Sequence, residues 1–311
     1  MNRKWEDKGL VYVPPFDGSW KDNSALTPTP IIIKENEIRV YCGFRDTEGV
    51  SRIGYVDLEG NNPKNIIRIS GKPVLEVGEP GMFDDNGIIL GDVINVNKKI
   101  LMYYVGFQLV NNVKFLAYSG LAVSEDNGET FSRFSPTPIM DRSDEAIYIR
   151  AIHSVLFENG VYKIWYSTGS VWEKIGNKNY PCYDINYIET IDGLNFSMKG
   201  IKCILNNKSN KEYRIGRPRV YRLEDVYIMN FTYGTTDGLY QVGQAISIDG
   251  INWNRNDNSF NLRPGNSDWS SRHLCYPSRI KTINNEFIFF NGNDMGINGF
   301  GFAELIKNNI T

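Results

Sequence analysis

Residues 99–108, KILMYYVGFQ, pack aliphatic, β-branched and aromatic side chains into one dense run that ends on glycine and a polar residue. Such a run suits the inside of a sheet, where branched and aromatic side chains pack across strands. It follows a short polar turn, NVNKK (95–99), which itself follows another apolar stretch. Strand, turn and strand predict a hairpin. The same unit returns as EIRVYCGFRD (37–46), VYKIWYSTGS (161–170), VYIMNFTYGT (226–235) and EFIFFNGNDM (286–295), behind the turns KENE, FENG, RLED and TINN.

A third strand follows each hairpin: SRIGYVDLEG (51–60), SGLAVSEDNGETF (119–131), INYIETIDGLNF (185–196), GQAISIDGINW (243–253) and GFGFAEL (299–305). Three of these end on Asp or Asn before Gly and then an aromatic residue, a combination that favours tight turns. SEDNGETF also fits the Asp-box pattern S-x-D-x-G-x-T-F/W. That motif is a hairpin staple, so Asp126 is assigned no chemistry. A period of about 60 residues with three or four strands per repeat predicts propeller blades. The expected fold is all-β: one five-bladed β-propeller domain spanning residues 1–311. A two-domain β-sandwich is the rival, and five repeats of a meander fit it poorly.

The 311 residues are 41% hydrophobic and 23% charged, which is ample for a packed core. A formal net charge of −2 makes no electrostatic case for nucleic acid or an anionic membrane. Cys42, Cys182, Cys203 and Cys275 are widely spaced, with no CxxC pair, and read as free thiols. The opening MNRKWEDKGLVYVPP has no apolar signal region, and no run reaches membrane-spanning length, so a cytoplasmic protein is expected. There is no Walker or dinucleotide glycine loop and no HExxH. GINGFGFAEL closes a strand and opens no helix, so no cofactor or metal is expected.

In a propeller the first strand of each blade lines a central channel. Those strands begin near TPTPIII, FDDNGIIL, YIRAIHSVLF, IGRPRVYR and HLCYPSRI. Their entry residues put Asp84, Asp85, Arg150, His153, Glu212, Arg214, Arg217, Arg272 and His273 around one pit, with Arg45 and Asp46 leaning over it. Glycosidic cleavage needs one acid to protonate the leaving oxygen and a second carboxylate to activate water or attack carbon. Asp84 and Asp85 are adjacent on a strand, so only one is expected to face the pit. Arg is also the natural binder of phosphate, and a phosphorolytic enzyme needs only one acid.

The residues resemble the five-bladed propeller superfamily of glycoside hydrolase families 32, 43, 62, 68 and 130. They are most similar to the family 32/43-like proteins of bacterial surface-polysaccharide gene clusters. The likeness is carried by FRDTEGVSRIGYVDLEG, GMFDDNGI, GLAVSEDNGETF, RPRVY and FFNGNDMGINGFGFAEL, and spans nearly the whole chain. Laid on the family 130 pattern E-D-P-R-I, it puts Asp85 at the catalytic Asp and Asp84 at the Glu, with Asn86 and Gly87 in place of Pro-Arg. Arg45 and Asp46 resemble the R-D-P motif of families 32 and 43. Glu212 is the nearest analogue of the family 43 acid.

The expected function is a glycoside-acting enzyme, a hydrolase of an oligosaccharide or polysaccharide. Asp85 is the leading acid, with Asp46 or Glu212 as partner carboxylate. Asp84, Arg45, Arg150, His153, Arg217, His273 and Asp294 are expected to bind substrate. The alternatives are a glycoside phosphorylase taking inorganic phosphate, and a non-hydrolytic glycan-binding or transferase component of polysaccharide synthesis.

Overall fold

A computed structural model describes residues 3–265 and 267–306. The chain begins with β1 (Trp5–Tyr12) and then runs through five successive meanders. The first is β2 (Asn23–Lys34), β3 (Glu37–Arg45), β4 (Ser51–Glu59) and β5 (Ile66–Ile69). The second is β6 (Ile88–Val96), β7 (Lys99–Gln108), β8 (Leu116–Ser124) and β9 (Ser132–Arg133). The third is β10 (Ile149–Glu158), β11 (Val161–Ile175), β12 (Lys178–Thr190) and β13 (Ile201–Ile204). The fourth is β14 (Glu212–Leu223), β15 (Val226–Thr235), β16 (Tyr240–Ser247) and β17 (Asn254–Arg255). The last is β18 (Cys275–Lys281), β19 (Glu286–Asn291) and β20 (Phe300–Leu305). Strand β1 pairs antiparallel with β20, so the N-terminal strand supplies the outer edge of the last meander.

Every expected hairpin and third strand is present. The run KILMYYVGFQ coincides with β7. The chain is all-β among the described residues, apart from four single 3₁₀ turns, and no helix there is long and apolar enough to cross a membrane. The second, third and fourth meanders join into one continuous sheet through short parallel pairings, β8 with β10 and β12 with β14. The four cysteines are unpaired.

Aromatic side chains bind each meander to the next in a repeating way. Tyr41, Tyr103 and Trp165 each occupy the fifth position of their strands, β3, β7 and β11. Each donates a hydrogen bond to a glycine carbonyl in the third-strand turn of the following meander: Gly128 (2.9 Å), Gly193 (3.2 Å) and Gly250 (2.8 Å). Those turns are held by Asp126, Asp192 and Asp249, which accept from backbone N–H groups downstream. The Asp-box is thus a joint between meanders, and Asp126 takes its place in it with Thr130 and Ser124.

Candidate central cleft

The five first strands lie side by side, β2 against β6, then β10, β14, β18 and back to β2. Side chains bridge four of the junctions between successive meanders, two of them from first strands and two, Thr232 on β15 and Asn291 on β19, from second strands. Asp92 on β6 accepts from the Val155 amide (2.7 Å), and Ser154 on β10 from the Val220 amide (2.9 Å). Thr232 accepts from the Tyr276 amide (2.8 Å), and Asn291 from the Thr27 amide (2.8 Å).

Each first strand carries an irregularity at one corresponding place. The pairing slips between Leu26 and Thr29, Leu90 and Asp92, Ile152 and Ser154, Gly216 and Arg219, and Cys275 and Ser278. A bulge leaves residues without a cross-strand partner and re-aims their side chains. The residues so released are Thr27, Gly91, His153, Arg217 and Tyr276. Thr27, Arg217 and Tyr276 have left-handed φ of 56°, 51° and 57°, and each precedes a proline.

Four of those five residues line a cleft of about 480 Å³ where the first strands meet, a volume suited to a small ligand or a few sugar units. Its apolar wall includes Ile89, Val105, Phe107, Phe115 and Ile149, and its polar wall Arg45, Ser51, Tyr183, Arg214, Tyr240 and Tyr276. A long hairpin, β11 with β12, extends the wall on one side through Pro181 and Tyr183, and Trp172 packs on Phe115 behind it.

The cleft is basic. Arg45, Lys114, Arg214, Arg217 and His153 line it, and no Asp or Glu does. Arg217 is buried, which pulls its pKa down to about 9 and leaves it cationic at neutral pH. It donates to the Leu90 carbonyl and to His153 Nδ1 (3.2 Å). His153 therefore accepts through Nδ1, and its burial, followed by the charges of Arg217 and Arg219, holds it neutral. Burial also lowers the pKa of Arg45. The Arg214 guanidinium stacks on Tyr240 (4.3 Å) and Tyr213 (4.8 Å). Two residues past Arg217, Arg219 reaches across to Asp92 (2.5 Å) and the His153 carbonyl (3.2 Å), outside the cleft lining. No group of three or more metal-ligating side chains is assembled among the described residues.

The carboxylates expected in the pit do not line it. Asp46 closes its own turn, accepting from the amides of Glu48 and Val50 and from Arg52 (2.6 Å). Its pKa lies below the ordinary value: burial raises it, but these hydrogen bonds outweigh that effect. Glu212 is buried against Arg255 through both oxygens (2.6 and 3.0 Å), on the outer side of the fourth meander. Asp84 is fully buried, its Oδ2 bound to Arg133 (2.8 Å) and Tyr104 (3.0 Å) and its Oδ1 buried without a partner among the described residues, and so fastens the 78–87 loop. Asp85 accepts from the Gly81 amide (2.8 Å), while its Oδ1 is buried without a partner. The next two residues, Asn86 and Gly87, line the cleft.

Of the basic candidates, Arg45, His153, Arg214 and Arg217 reach the cleft. Arg150 does not. Its neighbours Ile149 and Ala151 face the cleft, so strand alternation turns Arg150 the other way, to the Ser197 carbonyl (2.6 Å) and Glu145 (3.5 Å). His273 and Asp294 form a loop clamp: His273 Nδ1 accepts from the Asp294 amide (3.3 Å), and Nε2 donates to the Gly238 carbonyl (3.1 Å). His273 stands behind Tyr240, their ring centroids 6.0 Å apart. Exposed Arg272 stays outside the lining. Missed from the sequence were Thr27, Ser51, Lys114, Tyr183, Tyr240 and Tyr276. A signal for two of them was present: Thr27-Pro28 and Tyr276-Pro277 recur in register with Arg217-Pro218.

No protein-family profile matches the chain. A curated relative, the Mycobacterium tuberculosis protein described as uncharacterized protein Rv1502, is 28% identical over 303 residues, covering 97% of this chain and 99% of that one. A putative glycoside hydrolase from Bacteroides ovatus superposes with a TM-score of 0.72 at 13% identity, over 97% of this chain and 96% of its own. A thermostable family-43 glycoside hydrolase gives 0.68 at 14% identity, covering 96% and 94%. A structure from work on the GH130 mannoside phosphorylases and their β-1,2-mannosidic hydrolases gives 0.67 at 13% identity, covering 98% and 94%. The chain therefore shares its fold with these solved structures over nearly its whole length.

Proposed function

We propose that this chain is a carbohydrate-acting protein, a single five-bladed propeller domain that takes a saccharide into the cleft at the centre of the ring. The observation that carries the reading is the cleft itself. Bulged residues from four of the five first strands meet in it beside Tyr183 and Tyr240. Aromatic faces suit the apolar faces of sugar rings, and convergent polar groups fix hydroxyl orientation. The side-by-side order of the first strands, returning from β18 to β2, supports the closed ring.

Catalysis by two facing carboxylates is not the reading this geometry favours, because Asp46 and Glu212 are held in ion pairs outside the cleft. Asp85 is the acid assigned to any bond-breaking step, on the strength of its place directly before Asn86 and Gly87, which line the cleft, and of its freedom from any ion pair among the described residues. One acid beside a basic cleft favours phosphorolysis over hydrolysis as the second reading.

The test is binding on an array of bacterial glycans, followed by turnover of the bound glycans with and without inorganic phosphate. Binding by the unaltered protein that is abolished by Tyr240→Ala supports the carbohydrate reading. An array with no bound glycan overturns it. Phosphate-dependent turnover lost in Asp85→Asn would establish phosphorolysis. Turnover unchanged in that variant removes Asp85 from the mechanism.

A further inference from the structure

A protein interior satisfies its buried hydrogen-bonding groups, so a cluster of unsatisfied ones calls for an explanation. Five buried atoms without a partner belong to side chains that line the cleft: Thr27 Oγ1, Arg45 Nε, Ser51 Oγ, Arg214 Nε and Arg217 Nε. All five can donate. Thr27, Ser51 and Arg217 are each more than nine-tenths buried. Among the described residues the Arg45 guanidinium has no hydrogen bond or ion pair, and the Arg214 guanidinium, lying against Gly234, has no partner but the faces of Tyr213 and Tyr240.

The charges point the same way. Elsewhere, buried and half-buried guanidinium groups are paired: Arg39 with Asp57, Arg255 with Glu212, Arg219 with Asp92. The cleft departs from that habit, for it gathers three arginines and Lys114 around one space with no acid among its lining residues. Holding an unpaired charge away from water, as at buried Arg217, costs several kcal/mol, and an anion entering the site recovers it. A guanidinium presents a planar fork that fits the oxygens of carboxylate or phosphate.

We propose that Thr27, Arg45, Ser51, Arg214 and Arg217 form an oxyanion site, and that the saccharide taken by the cleft is acidic, carrying a carboxylate or a phosphate group. The inference rests on the carbohydrate reading above and narrows it to one substrate class. The sugar ring lies toward Tyr183 and Tyr240, and its acidic group lies among the arginines. Tyr276 is the contact between the two parts, with its ring 6.4 Å from that of Tyr240 and 5.7 Å from the Arg217 guanidinium.

The experiment is isothermal titration of the unaltered protein with four probes at matched ionic strength: tetragalacturonate, glucose 1-phosphate, inorganic phosphate and maltotetraose. At least one of the acidic saccharides is expected to bind ten-fold or more tighter than maltotetraose. That affinity should fall with added salt, and fall at least ten-fold in Arg45→Gln and in Arg214→Gln, with partial recovery in Arg45→Lys. Comparison of acidic and neutral probes on the unaltered protein requires no variant to fold. If maltotetraose binds as tightly as both acidic saccharides, the oxyanion inference is overturned while the carbohydrate reading stands. If inorganic phosphate binds as tightly as glucose 1-phosphate and no saccharide adds to it, the oxyanion site stands and the carbohydrate reading falls.

Discussion

Replacing Asn291 by leucine tests whether the ring is fastened where its last meander meets its first. Asn291 is fully buried. Its Oδ1 accepts from the Thr27 amide on β2, and its Nδ2 donates to the carbonyls of Ala25 and Gly299, each at 2.8 Å. Leucine matches the amide roughly in size but leaves all three backbone groups without a partner. A buried polar group left unsatisfied costs about 1–3 kcal/mol, which puts the gross loss for three at about 3–9 kcal/mol, centred near 6. Burial of the apolar side chain returns about 1.5–3 kcal/mol. Taking the central values, about 6 lost and about 2 returned, the net destabilisation expected is about 4 kcal/mol. With a urea slope of about 3 kcal/mol per molar, the midpoint should drop by roughly 1 M. Equilibrium urea unfolding followed by tryptophan fluorescence measures the shift, and hydrogen exchange reads the Thr27 amide directly. Asn61→Leu, at an exposed pair with Asn284 (3.4 Å), is the control and should stay within about 0.5 kcal/mol. A loss below about 1 kcal/mol with the Thr27 amide still protected would refute the reasoning, because the junction would then be held by something other than Asn291.

Two further outcomes follow from the same geometry. Gly91→Ala should destabilise by about 1–3 kcal/mol in thermal or urea unfolding, because the added methyl meets the Ile152 carbonyl and lies 2.6 Å from the Tyr103 carbonyl, both backbone atoms. A melt unchanged from the parent would show that β6 can shift and that the bulge is soft. Acid should loosen the joint between the first two meanders. Burial raises the pKa of Glu129, but hydrogen bonds from Arg68, Arg39 and Tyr55 outweigh it and hold the folded value at about 2, against an ordinary 4.5. A depressed carboxyl stabilises the fold fully above its unfolded pKa and loses that contribution as pH falls toward the folded value. The melting temperature should thus decline from about pH 4.5 toward pH 2, and Glu129→Gln should flatten the decline. An identical profile in that variant would remove Glu129 from the acid response.

Much of the fold was legible because its signals are local. The run at 99–108 became β7 without a change of boundary, and the turns ahead of it and its four counterparts fell where polar residues cluster. The site was harder to read, since it depends on which way each side chain leaves its strand. Asp46 and Glu212 were placed near the pit by their position at strand ends, yet each found a nearer arginine, Arg52 and Arg255. Ion pairs of that kind depend on distances that residue spacing does not carry. Asp84 explains the charge pair before β6 in a different way: Arg133 and Tyr104, from the same meander, give the buried carboxylate its partners.

The residues that do reach the cleft obey a rule that sequence alternation alone cannot supply. A regular strand would send Ile149, Ala151 and His153 to one face and Arg150 and Ile152 to the other, and β10 keeps that order as far as its bulge. In β14 the slip between Gly216 and Arg219 brings Arg217 into the cleft beside Arg214, three residues away, where strict alternation would have placed the two on opposite faces. Formal charge was misleading for a related reason. A chain total of −2 says nothing of how charge is distributed, and here Asp46, Asp84 and Glu212 are spent in pairs outside the cleft lining while arginines meet unpaired within it. The repeated X-Pro step in TPTP, GRPR and CYPS marks the bulge in three of the five first strands. It is therefore the feature of the sequence from which the ring of converging side chains follows, and it locates the cleft more closely than any search for acidic residues.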